Sequence, residues 1–552
     1  MIQYKIQCKN PVSQFIEIEL KLNFNETERV KLQLPAWRAG RYQLANYAQN
    51  IRSLSVLDSL GNSLLVEKTS KDCWEFNSNQ EGPYRICYEY FCGKMDAGSS
   101  WVDDEQVYLN LVNCCFDVVG KSEEEVEVIL DLPQFPKQIS TLIPIFDSVW
   151  KANGFQMLAD STILASKILT HYSYSIGETQ FHIWIHGEIH FDQSQFSDHF
   201  EVFSSKLIQD FGEFPEPEYH FIFQLLPYPH FHGVEHRRGT VITFGPAESL
   251  SEPEQMEELL GVSCHELYHA WNVCRIRPKE LLPYDFSKET YTKAGLLLEG
   301  VTTYMGDLYL LKSGVYDLPT YFKHLEKVLA RESASFGWQN HTIAQSSFDL
   351  WLDGYVAGIP DRKVNIYTHG ALLALCIDVF LLKNEHSAGL IMKEMWKRFG
   401  KPFEGYNMED FENLVLEKFL DKTEIHAFFL DFVHGKENLF PFLKSQLSSI
   451  GIDMKETLTE DGLLHQFGIR TNAEGVILQL HPESKAYFSL MRNDQILNWT
   501  NEKSSNSAEV KIQIKRNGRA LEISLAEEKR CFFPVLNLSM RAINPLTEKW
   551  KA

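Results

Sequence analysis

The stretch SCHELYHAWN, residues 263–272, carries His265, Glu266 and His269, two histidines four positions apart with an acid directly after the first. On a helix, positions i and i+4 lie on one face, so both imidazoles can reach a single metal ion. Glu266 can lean over such an ion and take a proton from water. The flanks favour a helix: residues 256–273 hold apolar side chains at helical spacing with no internal proline, and Pro278 closes the region. The competing reading is a helix with two incidental histidines.

A catalytic site of this kind takes three protein ligands and leaves a fourth position open. The third candidate is Glu299 in GLLLEGVTTYMGD, residues 295–307, thirty positions after His269. A bare carboxylate in so apolar a run is costly to bury, and a metal ion offsets that cost. The alternative places Glu299 on the exposed face of its helix. Two His and one Glu suit Zn2+, one per chain. Hydrolysis at a carbonyl centre also needs a group for the developing oxyanion. Tyr367, in NIYTHGALLAL (365–375), stands just ahead of an apolar helix and is the candidate, with His369 as the alternative.

Working outward, the 552 residues exceed one core and imply about three domains. Residues 1–160 alternate apolar and polar in runs such as FIEIELKLNF, the pattern of a β-sandwich. Residues 161–445 mix a small sheet with the metal helix and further helical patterns, an α/β plus helical-bundle layout. Residues 446–535 return to short strands with an Asn517-Gly518 hairpin signal, read as a small β-barrel, and 536–552 form a tail without signal. The whole is multidomain α+β.

The formal charge of −21 disfavours nucleic acid and anionic membrane as partners. The ten cysteines include no CxxC pair and sit in apolar runs, as buried thiols in a reducing compartment do. The start MIQYKIQCKN lacks the charged and apolar regions of a signal peptide, and the longest apolar run, 371–382, is too short to span a bilayer. A cytoplasmic location without membrane insertion is expected. The histidines 230, 232 and 236 read as a loop ahead of a strand before they read as a second metal site. Asp378 reads as a buried structural carboxylate, and Arg275 and Arg277 as structural cations.

HELYHAWNVCRIRP with a downstream EGVTTYMGD resembles the glycyl aminopeptidase family of zinc metallopeptidases, thermolysin-like gluzincins that carry a C-terminal PDZ domain. Tyr367-Thr368-His369-Gly370 is similar to the YxKG element of the wider alanyl-type aminopeptidases, with His in place of Lys. Gly233-Val234-Glu235-His236 is similar to the GGLEH loop, and LPAWRAGRYQLANYAQNI (34–51) to the PxWxPGxY segment, with Ala39 where Pro is usual. GVILQLHPESKAYFSLMRNDQILNWTN (475–501) is similar to the PDZ stretch SPAxxAGLxxGDxI. Leu490 and Asp494 are kept there, while Ser489 and Asn493 replace the two glycines.

The resemblance implies a thermolysin-like catalytic domain at 161–445 and a PDZ-like β-barrel at 446–535. It implies a peptide substrate with a free N-terminus, its amine held by Glu235 beside Gly233, and a preference for Gly or Ala at that end. A carboxylate fixed relative to the metal pairs with the ammonium and measures off one residue. Two other functions fit parts of the chain: an endopeptidase in which Glu235 touches no amine, and a non-catalytic scaffold that binds peptides through the PDZ-like module.

Overall fold

The computed structural model describes residues 2–355, 358–458, 460–499, 509–526 and 528–552. Thr500 and Asn501, which end the PDZ-like stretch quoted above, lie outside them.

The sheet-rich region expected for residues 1–160 is present as three sheets. In Phe15–Phe24 the even positions are buried and the odd ones face outward, the period-two pattern that puts one face on a core. That strand pairs with Ile2–Gln7 and Gly82–Phe91 in an eight-stranded sheet. A four-stranded sheet containing Arg29–Gln33 and Cys73–Asn77 packs against it. Phe24 meets Phe76 at 6.5 Å between ring centroids, and Tyr88 meets Phe116 at 5.1 Å, with Trp74 on the other side of Phe116.

The next region opens with a five-stranded sheet in the order Thr170–Ile176, Thr179–His186, Glu218–Leu225, Gly239–Gly245, His230–His236. The three inner strands run parallel and both edges are antiparallel. The edge strand His230–His236 turns back through Arg237 and Arg238, which leaves one of its sides free to border a cleft. Helices follow. Gln193–Phe211 is capped by Asp192 and stopped at Gly212, whose φ of 98° is left-handed. Thr368–Lys383 is buried at every position from Thr368 to Leu382, so it is the central helix of the bundle. Among the described residues, no helix is long and apolar enough to cross a membrane.

The C-terminal strands depart from expectation. They do not close a barrel among the described residues but form a two-stranded, a three-stranded and a further two-stranded sheet. An isolated bridge from Val476 to Gln495 joins the sheet of Ile469–Thr471 and Ile477–Leu480 to that of Gln495–Trp499, and each ladder carries a bulge, at Arg470/Thr471 and Ile496/Asn498. The module keeps a small core of its own around Ile477, Leu490 and Ile512. Its hairpin turns through Asn517 and Gly518, with φ of 48° and 80°.

Residues 536–552, expected as a tail, are folded. Val535–Met540 pairs with Ile452–Thr457, and the helix Pro545–Lys551 seats Trp550, fully buried, against Tyr321. The Trp550 indole donates to the Tyr304 hydroxyl, which in turn donates to Asp378 at 2.5 Å. Asp378 also accepts from the Ala388 amide at 2.6 Å, so this buried carboxylate is fully engaged in packing the bundle.

Candidate active site

The helix Pro253–Tyr268 starts on a proline at its first turn and ends at His269, so the two histidines lie on its last turn. Gly306 lets the helix Thr302–Lys312 cross it closely, since a Cβ there would stand 3.0 Å from the His265 Cα. Glu299 precedes that second helix in a π-helical turn, Leu296–Val301, a widened geometry often found at functional positions. The turn packs backbone against backbone on the central helix: a Cβ at Gly300 would meet the Gly370 Cα at 2.5 Å. Asn272 ties the two ligand-bearing segments together, its amide donating to the Leu297 carbonyl at 2.7 Å and the Thr302 hydroxyl at 2.9 Å.

The three side chains converge. His265 Nε2 and His269 Nε2 are 3.1 Å apart, and Glu299 Oε2 stands 3.7 and 3.5 Å from them. Ligands about 2.1 Å from a tetrahedral ion lie about 3.4 Å from one another, so these spacings bracket the value zinc requires. His269 Nδ1 donates to the Asn272 carbonyl at 2.9 Å, which aims the Nε2 lone pair at the centre. Glu299 Oε2 is buried without a hydrogen-bond partner. Burial acts to lower His269, yet the neighbouring Glu299 carboxylate carries it up to about 10 when no ion is bound, a place for positive charge that an ion would take instead of the proton. Burial and its neighbour His269 hold His265 neutral, as a ligand must be. The donor set fits a divalent ion.

Glu266 is buried, its Oε2 also unpartnered. Burial pushes its carboxyl up to about 8, His269 pulls the other way, and Glu235 and Glu299 add to the rise. The carboxylate rests on Gly233: a Cβ there would come within 2.3 Å of Oε1. Tyr367 stacks 6.5 Å from the His265 ring, and its ring lies 6.4 Å from that of Tyr355. His269, Glu266, Glu299, Tyr367 and Glu235 line one cavity of about 560 Å³.

Glu235 sits on the edge strand, 8% exposed. Its partner surface comes from the N-terminal region. Gly40, with φ of 73°, lies so close that a Cβ would stand 2.2 Å from the Glu235 carboxylate. Trp37 anchors this loop: it is fully buried, donates to the Asp285 carbonyl at 2.8 Å and packs edge-on against Trp351. Arg38, Gly40 and Arg41 thereby become walls of the cavity. In the sequence this loop stood out only by its similarity to the PxWxPGxY segment, with no role in the site. The signal was present in Gly40 between two arginines beside an anchored tryptophan.

Other candidates lie elsewhere. His369 turns away from the cavity to bond Glu332 at 2.7 Å. Arg275 pairs with Glu216 at 3.1 Å, while Arg277 donates to the Val273 and Cys274 carbonyls and covers the Tyr284 ring. Histidines 230, 232 and 236 form no ligand-distance group among the described residues. His182, Glu218 and His220 do, but the Trp184 indole donates to His220 Nδ1 at 3.1 Å. A neutral His220 then keeps its proton on the Nε2 that faces Glu218, so this set does not suit a metal.

Three convergent ligand atoms, an unpartnered carboxylate and a bordering cleft make this a candidate metal site with the parts a hydrolytic centre needs. Residues 258–373 match the M61 glycyl aminopeptidase family and residues 3–167 match the M61 peptidase N-terminal domain, so the chain is a peptidase of that family. In structure it is similar to an aminopeptidase N family protein from Idiomarina loihiensis, with 24% identity, a TM-score of 0.89 and full coverage of both chains. It is less similar to the M1 zinc metallopeptidase from Deinococcus radiodurans, with 13% identity and a TM-score of 0.46 over 79% of this chain and 94% of that one. No curated protein matches the sequence.

Proposed function

We propose that the protein is a zinc-dependent aminopeptidase acting on peptides with a free, small N-terminal residue. His265, His269 and Glu299 would hold the ion, which when bound polarises the scissile carbonyl and acidifies water. Glu266 takes the proton of the attacking water on its free Oε2 and passes it to the leaving amine. Its raised pKa suits both halves of that transfer. Gly233 keeps the Glu266 carboxylate in place by offering it a surface without a side chain. The Tyr367 hydroxyl donates to the oxyanion, and Tyr355 orients that hydroxyl.

Glu235 carries the reading from peptidase to aminopeptidase. Its contacts among the described residues include no cation within 4 Å, although it is buried in the same cavity as Glu266. A buried carboxylate left unpaired is costly, and the ammonium of a peptide N-terminus is the partner of matching charge. The family resemblance adds Gly and Ala as the preferred residues and a PDZ-like role for residues 446–535, and the free, mostly buried cysteines are the reason to propose the cytoplasm as the compartment.

N-acetylation of the substrate tests the reading. Free alanyl peptides should be cleaved by the zinc-loaded protein and their acetylated forms spared. Equal cleavage of both would assign an endopeptidase instead.

A further inference from the structure

Two guanidinium groups stand in the cavity wall without an acid of their own. Arg38 is 6% exposed. Its Nη1 donates to the Ala39 carbonyl at 2.9 Å, and its Nη2 lies 3.4 Å from His232 Nε2. The group lies flat on Gly98, where a Cβ would come within 2.2 Å of Nε. Arg41 reaches only the Gln43 side-chain carbonyl, at 3.3 and 3.4 Å, and stands 5.8 Å from the centre of the Tyr355 ring.

Neither arginine has a carboxylate within 4 Å among the described residues, in contrast to its neighbours. Arg237 and Arg275 share Glu216, and Arg238 takes Glu218 at 2.7 Å. Of the two acids on this side, Asp96 is already held by Lys94 at 2.7 Å, and Glu235, which rests against Gly40, is paired with neither arginine within 4 Å. Nor does His232 compensate Arg38: burial, and then Arg38 itself, push its pKa down to about 3, so it is neutral. Arg277 is also buried without an acid, but two carbonyls and two aromatic rings enclose it away from the cavity.

The position of the pair decides what they would meet. Gly40 lies between them in sequence and touches the Glu235 carboxylate. The Tyr355 hydroxyl donates to the Gly40 carbonyl at 3.3 Å, and its ring lies 6.4 Å from that of Tyr367. The two guanidiniums therefore flank the place where the reading above puts the substrate's amino group. The part of a peptide that lies within a few bonds of its amine is the side chain of its first residue. A short anionic side chain there would meet forked donors suited to a carboxylate.

We infer that Arg38 and Arg41 form a subsite for an acidic side chain, so that the substrate class includes peptides beginning with aspartate or glutamate. This rests on the aminopeptidase reading and extends its Gly and Ala preference to first residues selected by charge.

The test compares kcat/KM of the zinc-loaded full chain on aspartyl, asparaginyl, glutamyl, glutaminyl and alanyl amides. Asp against Asn cancels size. Wild type should favour Asp by about tenfold or more, the scale of a charge-assisted hydrogen bond. Arg41→Gln should bring the ratio near one, and Arg41→Glu should shift preference toward lysyl amides, which a purely structural role would not do. Cleavage of alanyl amides with Asp no better than Asn overturns the subsite alone. So does a ratio unchanged in a folded Arg41→Gln. If wild type cleaves no amide, the aminopeptidase reading fails and the subsite with it.

Discussion

Replacing Gly233 by alanine adds one methyl group at the most crowded point of the proposed catalytic arrangement. Gly233 lies in a regular strand without a left-handed φ, so alanine costs nothing in the backbone there. The added Cβ would stand 2.3 Å from Glu266 Oε1 and 2.9 Å from both the Glu266 carboxyl carbon and Val262 Cγ2. Carbon and oxygen need about 3.3 Å, so the carboxylate must retreat by about 1 Å in a packed interior that offers little room. A displacement of that size in a reacting group costs about a hundredfold in kcat. The ligands do not touch the new methyl, so bound zinc and KM should stay close to wild type. Steady-state hydrolysis of an alanyl amide, with metal content and thermal unfolding measured on the same sample, checks this. A folded, metal-replete Gly233→Ala with kcat within about threefold of wild type would refute the placement of Glu266 as the base.

Glu299→Gln should abolish the rise in melting temperature that zinc gives the wild type, while the metal-free variant melts no lower than metal-free wild type, because a buried carboxylate is gone; zinc titration by calorimetric melting decides it. Burial and the neighbouring Glu258 push the Asp307 carboxyl up to about 7. A folded pKa above the unfolded one means that the fold binds the extra proton, so stability falls as pH rises from about 4 to about 7. Asp307→Asn should flatten that fall between about pH 4 and about pH 7, and equal slopes in both proteins would count against it. Trp550→Ala should destabilise by about 3–5 kcal/mol, read as a lower denaturant midpoint, since it empties a fully enclosed site and leaves Tyr304 without its indole donor.

What the sequence made legible was local. His265 and His269 share a face because helical spacing alone sets that relation. Glu299 stood out as an acid in an apolar run, although nothing in the run announces the π turn that carries it. Glu235 and Gly233 were found through the resemblance, and their contacts with Gly40 and Glu266 depend on pairings across the fold. The same holds for Arg38 and Arg41, which lie nearly two hundred residues before the edge strand and reach the cavity only because Trp37 docks on Asp285 and Trp351. Trp550 sits in a helix of seven residues, too short for a periodic pattern, and its burial is decided by Tyr304 and Tyr321. The barrel expected at the C-terminus followed from short strands and a hairpin signal, which carry no information about which strands pair across the module.

The central claim is that Glu266 acts as the base beside an ion held by His265, His269 and Glu299. The measurement that meets it most directly is the zinc stoichiometry and alanyl-amide hydrolysis of Glu266→Gln beside wild type. The account predicts one zinc per chain in both proteins and a kcat lower by about a hundredfold or more in the variant. A zinc-loaded Glu266→Gln that hydrolyses the amide at the wild-type rate would contradict it.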